Sequence, residues 1–158
     1  MQAKRGFTLV EILIVVVILG ILAAIVIPQF TQASTEAKTN SLCADLQTLR
    51  SQIELYKVQH NDIGPGNTIA GGVGTASLAD FEGQMVYTTD IDANINGTSK
   101  VRTGVFQFGP YLERVPENPF NNLNTIGAAG TVDSSVGWGY DPATGEIRAA
   151  DTAAHSLL

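Results

Sequence analysis

Residues 7–27 read FTLVEILIVVVILGILAAIVI, and Thr8 and Glu11 are the only polar side chains in this stretch. At about 1.5 Å per residue, a helix of this length spans roughly 30 Å, the thickness of the hydrocarbon core of a bilayer. Lipid forces every backbone group into a hydrogen bond within the chain, so the many Val and Ile residues do not prevent a helix here. The stretch therefore predicts one membrane-spanning helix.

Glu11 lies inside the apolar run, and its carboxylate allows two interpretations. A charge near the centre of a membrane helix costs about 2.5–3.5 kcal/mol on insertion scales, so such a residue is a candidate functional site that needs a partner. Alternatively, Glu11 lies in the first helical turn near the membrane surface and complements the positive end of the helix. The helix alone does not decide between them.

The six residues before the helix read MQAKRG. This is not a secretory signal, because the small residues on the far side of the helix are followed by more bulky apolar side chains rather than by a cleavage site. Cleavage after Gly6 is the better prediction. It would create an α-amine on Phe7, one helical turn from Glu11, and would give the carboxylate a cationic partner in its own chain or in a neighbour.

The sequence KRGFTLVE followed by this apolar run resembles the N-terminal signal of type IV pilins and type II secretion pseudopilins. The resemblance implies that a prepilin peptidase of the inner membrane cleaves after Gly6 and methylates the amine of Phe7. It also implies that Glu11 pairs with the N-terminal amine of an adjacent subunit and sets the stagger of a helical fibre. Gly20 and Pro28 match the positions that bracket the segment that loses helicity in assembled fibres, and both residues weaken a helix.

Length and charge predict an anchor and one modest head. The 158 residues divide into a leader (1–6), a membrane and assembly helix (7–28) and a head (29–158). Beyond Pro28 there are seven basic and fourteen acidic residues, a net charge of −7 that would repel phosphates, so no nucleic acid is expected as a partner. Lys4 and Arg5 place the N-terminus in the cytoplasm and the head in the periplasm.

The first part of the head continues the helix. Between residue 29 and about residue 60, apolar residues recur at intervals of four and three: Leu42, Leu46, Leu49, Ile53 and Tyr56. Charged residues lie opposite them, so we predict an amphipathic helix that packs its apolar stripe on the rest of the head. A coiled coil is the alternative, but the stripe covers fewer than three heptads. Residues 61–66, NDIGPG, end the helix.

The remaining head predicts a small sheet. Residues 64–75 are glycine-rich and read as a flexible loop, residues 76–88 as a short helix, and residues 109–120 as an extended loop with three prolines. Residues 136–149 form two short apolar runs around a turn, which predicts a hairpin, and residues 101–108 are a candidate third strand. The prediction is thus an α+β, pilin-like fold in which the long helix packs on a small antiparallel sheet.

Residues 89–97, TDIDANING, fit two structures. Asp92, Asn94 and Asn96 with Gly97 reproduce the first half of a calcium loop, which makes them candidate calcium ligands. Lys100 and Thr103 stand where the second half would need ligands, so a polar turn is favoured over a metal site.

Enzymatic motifs are lacking in the sequence. His60 and His155 are far apart and are expected to be solvated, and neither HExxH nor GxSxG is present. Cys43 is the single cysteine, which excludes a disulfide within the chain and predicts a small helix-facing side chain. We therefore expect no catalytic residues and no enzyme.

The function implied by the resemblance is that of a structural subunit. We favour a type II secretion pseudopilin that polymerises into a periplasmic fibre and drives protein export, because the cysteine pair of many pilins is absent. The alternatives are a type IV pilin for adhesion, motility or DNA uptake, and an anchored enzyme or receptor that would leave Gly6 and Glu11 unexplained. The implied partners are other copies of the chain, the prepilin peptidase, an inner-membrane assembly platform, minor pilins or pseudopilins, and the inner membrane itself.

Overall fold

The structure, a computed structural model, describes residues 6–70 and 73–158. Its elements in chain order are α1 (Leu9–Gln59), β1 (Asn67–Ala70), β2 (Val73–Ala76), α2 (Leu78–Val86), β3 (Ile126–Ala128), β4 (Trp138–Asp141), β5 (Glu146–Ala149) and a final 3₁₀ turn, His155–Leu157. The chain divides into two compact units, one that ends at Lys38 and one, Thr39–Leu158, that we call the head unit. Of the predicted leader, only Gly6 lies within the described residues.

Helix α1 confirms the predicted long N-terminal helix. It runs without interruption through Gly20 and Pro28. Pro28 has no N–H, so the carbonyl of Ala24 loses its helical donor at that turn. Just beyond, the Thr31 hydroxyl donates a hydrogen bond to the Ile27 carbonyl at 3.2 Å. The loss of helicity expected between Gly20 and Pro28 concerns the assembled fibre and stays a prediction.

The apolar stripe on α1 forms one side of the core of the head unit, as predicted. All five of its members are buried: Leu42, Leu46, Leu49, Ile53 and Tyr56. They pack in one cluster with Phe81 and Met85 of α2 and with large side chains of the sheet. The guanidinium of Arg50 also donates to the Ile147 carbonyl of β5 at 3.2 Å. The stripe is therefore core packing within one chain and not a coiled-coil seam.

The sheet contains the predicted hairpin, but its third strand differs from the prediction. Strands β4 and β5 pair antiparallel, and the buried side chains of Trp138, Tyr140 and Ile147 cover the stripe. The third strand is β3, which pairs parallel with β4, so the prediction of an entirely antiparallel sheet is wrong. The two strands run in the same direction because residues 129–137, which connect β3 to β4, return the chain to the end of the sheet from which β3 starts.

The candidate strand at residues 101–108 is also wrong. Only Phe108 pairs, in an isolated bridge with Thr89. The segment from Lys100 to Val105 is exposed on both sides, so it has no buried face of the kind that a strand packs on a core.

The glycine-rich stretch is a hairpin rather than the predicted flexible loop. Strands β1 and β2 pair antiparallel, with Asn67 opposite Ala76. The β-branched residues between the glycines favour strands, and the glycine count obscured that preference. The buried Gln84 side chain of α2, the predicted short helix, ties this hairpin down: it accepts a hydrogen bond from the Gly66 N–H at 2.6 Å and donates to the Asn67 carbonyl at 2.9 Å.

Residues 109–120 form the ordered, irregular loop that the prolines predict. Leu112 and Val115 are buried in the core. The loop is also held to β4, because the Trp138 indole donates to the Pro116 carbonyl at 2.8 Å and the buried Asn118 amide donates to the Gly137 carbonyl at 3.0 Å. The ordering of this loop therefore comes from polar contacts with the sheet as well as from its prolines.

His60 is buried, and the prediction of a solvated histidine is wrong. Its ring stacks on Tyr56 with centroids 3.9 Å apart, and the rings of Phe108 and Tyr111 approach edge-on. One ring nitrogen is hydrogen-bonded to the Tyr56 carbonyl at 2.9 Å and the other to the Thr89 hydroxyl at 3.0 Å. Apart from Tyr56, the residues that surround His60 are distant in sequence, namely Thr89, Phe108 and Tyr111. The sequence pattern near residue 60 therefore does not reveal them.

His155 is half-buried and not freely solvated either. Its ring is hydrogen-bonded to the carboxylate of Asp151, which is itself buried, and packs on the ring of Phe120. Cys43 is half-buried on α1 and carries a free thiol, which agrees with the predicted small helix-facing side chain.

Replacing Leu49 with Ala should destabilise the head unit by about 2–5 kcal/mol, because it removes a fully buried part of the stripe and leaves a cavity. Val58 on the same helix is 79% exposed, so Val58→Ala should change the free energy of unfolding by less than about 0.5 kcal/mol. The measurement is denaturant unfolding of the full chain in detergent, followed by the fluorescence of the single tryptophan, Trp138. Equal effects of the two substitutions would contradict this packing.

Acidification should destabilise the head unit through His60. Burial lowers the pKa of His60 below its ordinary value of 6.5. As the pH falls from about 6.5 towards the folded-state pKa, the unfolded chain binds a proton that the folded chain does not, so the free energy of unfolding decreases. His60→Gln should be less stable at pH 7 but should lose less stability between pH 7 and 5.5. Equal losses, measured from denaturation midpoints, would contradict this role.

Candidate assembly site at the N-terminus

The first turn of α1 is closed by a reciprocal pair of hydrogen bonds between Thr8 and Glu11. The Glu11 carboxylate accepts from the Thr8 backbone N–H and from the Thr8 hydroxyl, each at 2.8 Å. In return, the Thr8 hydroxyl oxygen accepts from the Glu11 backbone N–H at 3.3 Å. This arrangement is a capping box, in which the residue before the helix and the third helical residue satisfy each other's free donors.

The capping box adds a local role to the two interpretations of Glu11. The carboxylate is held at the positive end of the helix dipole, where a negative charge is stabilising. Phe7 directly precedes Thr8, so cleavage after Gly6 would create an ammonium group one residue from the bonds that already hold Glu11. The sequence signal for this role is the T-x-x-E spacing at the start of an apolar run, and Thr8 is the functional residue that our sequence analysis overlooked.

The apolar part of α1 is uncovered in the single chain. Its large side chains are more than half exposed throughout, and the Phe7 ring is 84% exposed. In the described part of the chain, α1 is the one helix that is long and apolar enough to cross a membrane, and its apolar segment is not buried. Burial of this surface must come from lipid or from other chains.

Two of the predicted site residues are glycines that the fold itself does not require. A Cβ atom at Gly6 or at Gly20 would meet nothing within 4 Å. By contrast, a Cβ at Gly137 would lie 2.0 Å from the Leu123 carbonyl oxygen, so packing accounts for that glycine. Any requirement for glycine at positions 6 and 20 must therefore come from a partner outside the single chain.

The structure places the candidate calcium ligands in a turn organised by Asp90. One carboxylate oxygen of Asp90 accepts the backbone N–H groups of Asp92 and Asn94 at 3.0 and 2.8 Å, and the other accepts the Asn94 side-chain amide at 2.8 Å. Asp92 and Asn94 are exposed and Asn96 is half-buried. Within residues 6–70 and 73–158, no group of three or more His, Cys, Asp or Glu side chains is arranged to hold a metal ion. The geometry is that of an Asx turn.

Comparison with known proteins begins at the N-terminus. Residues 1–27 match the family model described as the prokaryotic N-terminal methylation motif. This match contains Gly6, Phe7, Glu11 and Gly20, the residues at which the sequence predicts processing and assembly. No solved structure matches the chain.

Several relatives share a name. The chain is 39% identical over 61 residues to the type II secretion system core protein G of Klebsiella pneumoniae, a match that covers 39% of this chain and 44% of that protein. It is 28% identical over 138 residues to the protein of the same name from Vibrio cholerae, covering 84% of this chain and 79% of that protein. A fimbrial protein of Neisseria meningitidis is 31% identical over 88 residues, 56% of this chain and 50% of that protein.

The alignment with the Klebsiella protein spans less than half of that relative's length. The longer alignment with the Vibrio protein extends the similarity through most of the head unit. The methylation motif, these alignments and the long helix that packs on a small sheet make the chain similar to type II secretion system core protein G and, over a shorter length, to the fimbrial protein.

Proposed function

We propose that this chain is the structural subunit of a pilus-like fibre, and specifically a pseudopilin of a type II secretion system whose polymer drives protein export. The observation that carries the proposal is the start of α1, where Glu11 is held in a capping box beside Phe7 and is followed by a long, unburied apolar helix. The relatives named type II secretion system core protein G support this choice of machine. A structural, non-enzymatic role follows from the same relatives.

In this proposal a prepilin peptidase removes residues 1–6 and methylates the amine of Phe7. The uncleaved chain is held in the inner membrane by residues 7–28, with its N-terminus in the cytoplasm and its head in the periplasm. Lys4 and Arg5 support this orientation, because cations favour the cytoplasmic side. An inner-membrane assembly platform and minor pseudopilins would then add the processed subunit to the fibre.

On assembly, the apolar segment of α1 moves from lipid into contact with the same segment of other chains. Each α1 leaves lipid and packs on the same segment of neighbouring chains, so its exposed Leu, Ile and Val side chains stay out of water. Glu11 supplies the register, because a carboxylate inside the bundle is destabilising unless it meets a cation, and the methylated amine of a neighbour's Phe7 is that cation. Gly20 would allow close approach of helices, as small residues do at helix contacts in membranes.

A type IV pilin is the second candidate, supported by the fimbrial relative from Neisseria meningitidis. The two roles share processing, membrane insertion and polymerisation, and they differ in whether the fibre stays in the periplasm or reaches the cell surface. A DNA-uptake role is disfavoured, because the net charge beyond Pro28 is −7. Calcium binding at Asp92, Asn94 and Asn96 is not part of this proposal.

Glu11→Gln separates the two roles of Glu11. The amide oxygen of glutamine can still accept the Thr8 N–H, so the first turn of the helix should persist, but the negative charge is lost. We expect normal membrane levels and leader cleavage with at least a tenfold loss of sheared or sedimented fibres, because about 1.4 kcal/mol per subunit contact already gives that factor. Glu36→Gln, an exposed carboxylate on the same helix, is the matched control and should assemble like the wild type. Normal fibres from Glu11→Gln would rule out the register role.

Processing is tested by the intact mass of the membrane-extracted protein, produced with a prepilin peptidase. We expect the loss of residues 1–6 and the gain of one methyl group on Phe7. Gly6→Val should retain the leader although the head folds normally, because a Cβ at position 6 would meet nothing within 4 Å among the described residues. Retention of the leader by the wild-type chain, or cleavage beyond the apolar helix, would contradict the proposed function.

A further inference from the structure

The cations of the head unit are unevenly distributed. From Thr39 to Leu158 there are six Lys and Arg residues against thirteen Asp and Glu residues. Three of the six lie within fifteen residues of sequence. We call this set the basic edge: Lys100, Arg102 and Arg114.

Hydrogen bonds tie two of the three cations to the stretch of chain that carries the third. The ammonium of Lys100 donates to the Glu113 carbonyl at 2.6 Å, and Arg114 is the next residue along the chain. The Arg102 guanidinium donates to the Gly109 carbonyl at 2.7 Å. Residues 100–102 therefore lie along residues 109–114, and all three cations belong to neighbouring stretches of chain. A surface that is ordered in advance loses little conformational entropy when it binds.

The charges of the basic edge are not neutralised within the chain. In the described residues, no carboxylate lies within 4 Å of any of the three cations, and Arg114 forms no hydrogen bond or ion pair. Two other cations of the head unit are paired: Lys57 with Glu54 at 3.0 Å and Arg148 with Glu146 at 2.7 Å. The basic edge is thus a positive surface, unpaired within its own chain, on a strongly negative head.

Apolar side chains accompany these charges. Val101 is 71% exposed and Val105 is 67% exposed, and both lie in the stretch that was the candidate third strand. That stretch forms no strand in the single chain, and its residues 100–105 are all exposed. Exposed valines between unpaired cations are typical of a surface that a partner covers.

We propose that the basic edge docks on an acidic surface of the head of a second copy of this chain, an inference that rests on the proposed fibre. The partner surface must be acidic, and thirteen carboxylates against six cations make most of the head of another copy acidic. The basic edge repels itself, so it cannot form a two-fold contact in which the same patch meets on both chains. A contact between two different patches of identical chains forms a closed ring if the rotation closes and an open filament if it does not, and the filament is the geometry of the proposed fibre.

Arg114→Gln is the cleanest test, because Arg114 is exposed and contributes no contact to its own fold. It should reduce the yield of fibres by about twofold to fivefold, the range expected for one exposed ion pair, and should leave leader cleavage and membrane level unchanged. Arg114→Lys should restore the yield. Arg148→Gln removes an equally exposed arginine outside the basic edge and should leave fibre formation unchanged.

A photo-crosslinking residue in place of Val105 identifies the protein that covers the basic edge. In cells that assemble fibres, we expect a crosslinked species of twice the subunit mass that contains only this chain, and its yield should fall when Arg114→Gln is added. Crosslinks only to a different protein, or fibres of Arg114→Gln at wild-type yield, would overturn the docking proposal while leaving the fibre in place. A processed wild-type chain that never forms fibres would instead refute the proposed function.

Discussion

Burial of the apolar stripe on α1 is the constraint on which the head unit depends. Leu42, Leu46, Leu49, Ile53 and Tyr56 are all buried, and they pack in one cluster with side chains of α2 and of strands β4 and β5. The strands are short, of three or four residues each, and a sheet of this size is not stable without an apolar surface to pack on. The helix is that surface, so the sheet and the ordered loop are consequences of the stripe.

The first part of the same helix presents the opposite situation. Its apolar side chains are uncovered, and its polar groups are limited to a cap at the start. The two segments of α1 therefore differ in whether the described chain covers their apolar side chains. In the proposed fibre subunit, lipid or another copy covers the first segment, and α1 would then be an assembly element as well as a scaffold.

The sequence predicted those parts of the molecule that depend on local spacing. The period of the stripe identified the buried face of α1, and the apolar runs around a Pro and Gly turn identified the hairpin β4–β5. Two of the errors arise because the deciding contact is with a residue distant in sequence. Residues 101–108 were expected to form a strand, but only Phe108 pairs, in one bridge with Thr89. His60 is buried because Phe108, Tyr111 and Thr89 meet it from elsewhere in the fold.

In the candidate site, too, the sequence revealed a contiguous motif but not a role that depends on side-chain geometry. Gly6, Phe7 and Glu11 were identified from a contiguous motif, whereas the capping role of Thr8 became clear only when the geometry joined it to Glu11. That geometry also offers a physical route between membrane and fibre. In the single chain, the bonds from Thr8 satisfy the Glu11 carboxylate. In a bundle of helices a neighbour's ammonium would provide a stronger, charge-assisted partner, so the carboxylate can change partner without ever being buried alone. In the proposed subunit, the hydrogen bonds from Thr8 would lower the free-energy cost of keeping the Glu11 carboxylate in lipid. Every helix register in which a neighbour's ammonium cannot reach Glu11 would still be unfavourable.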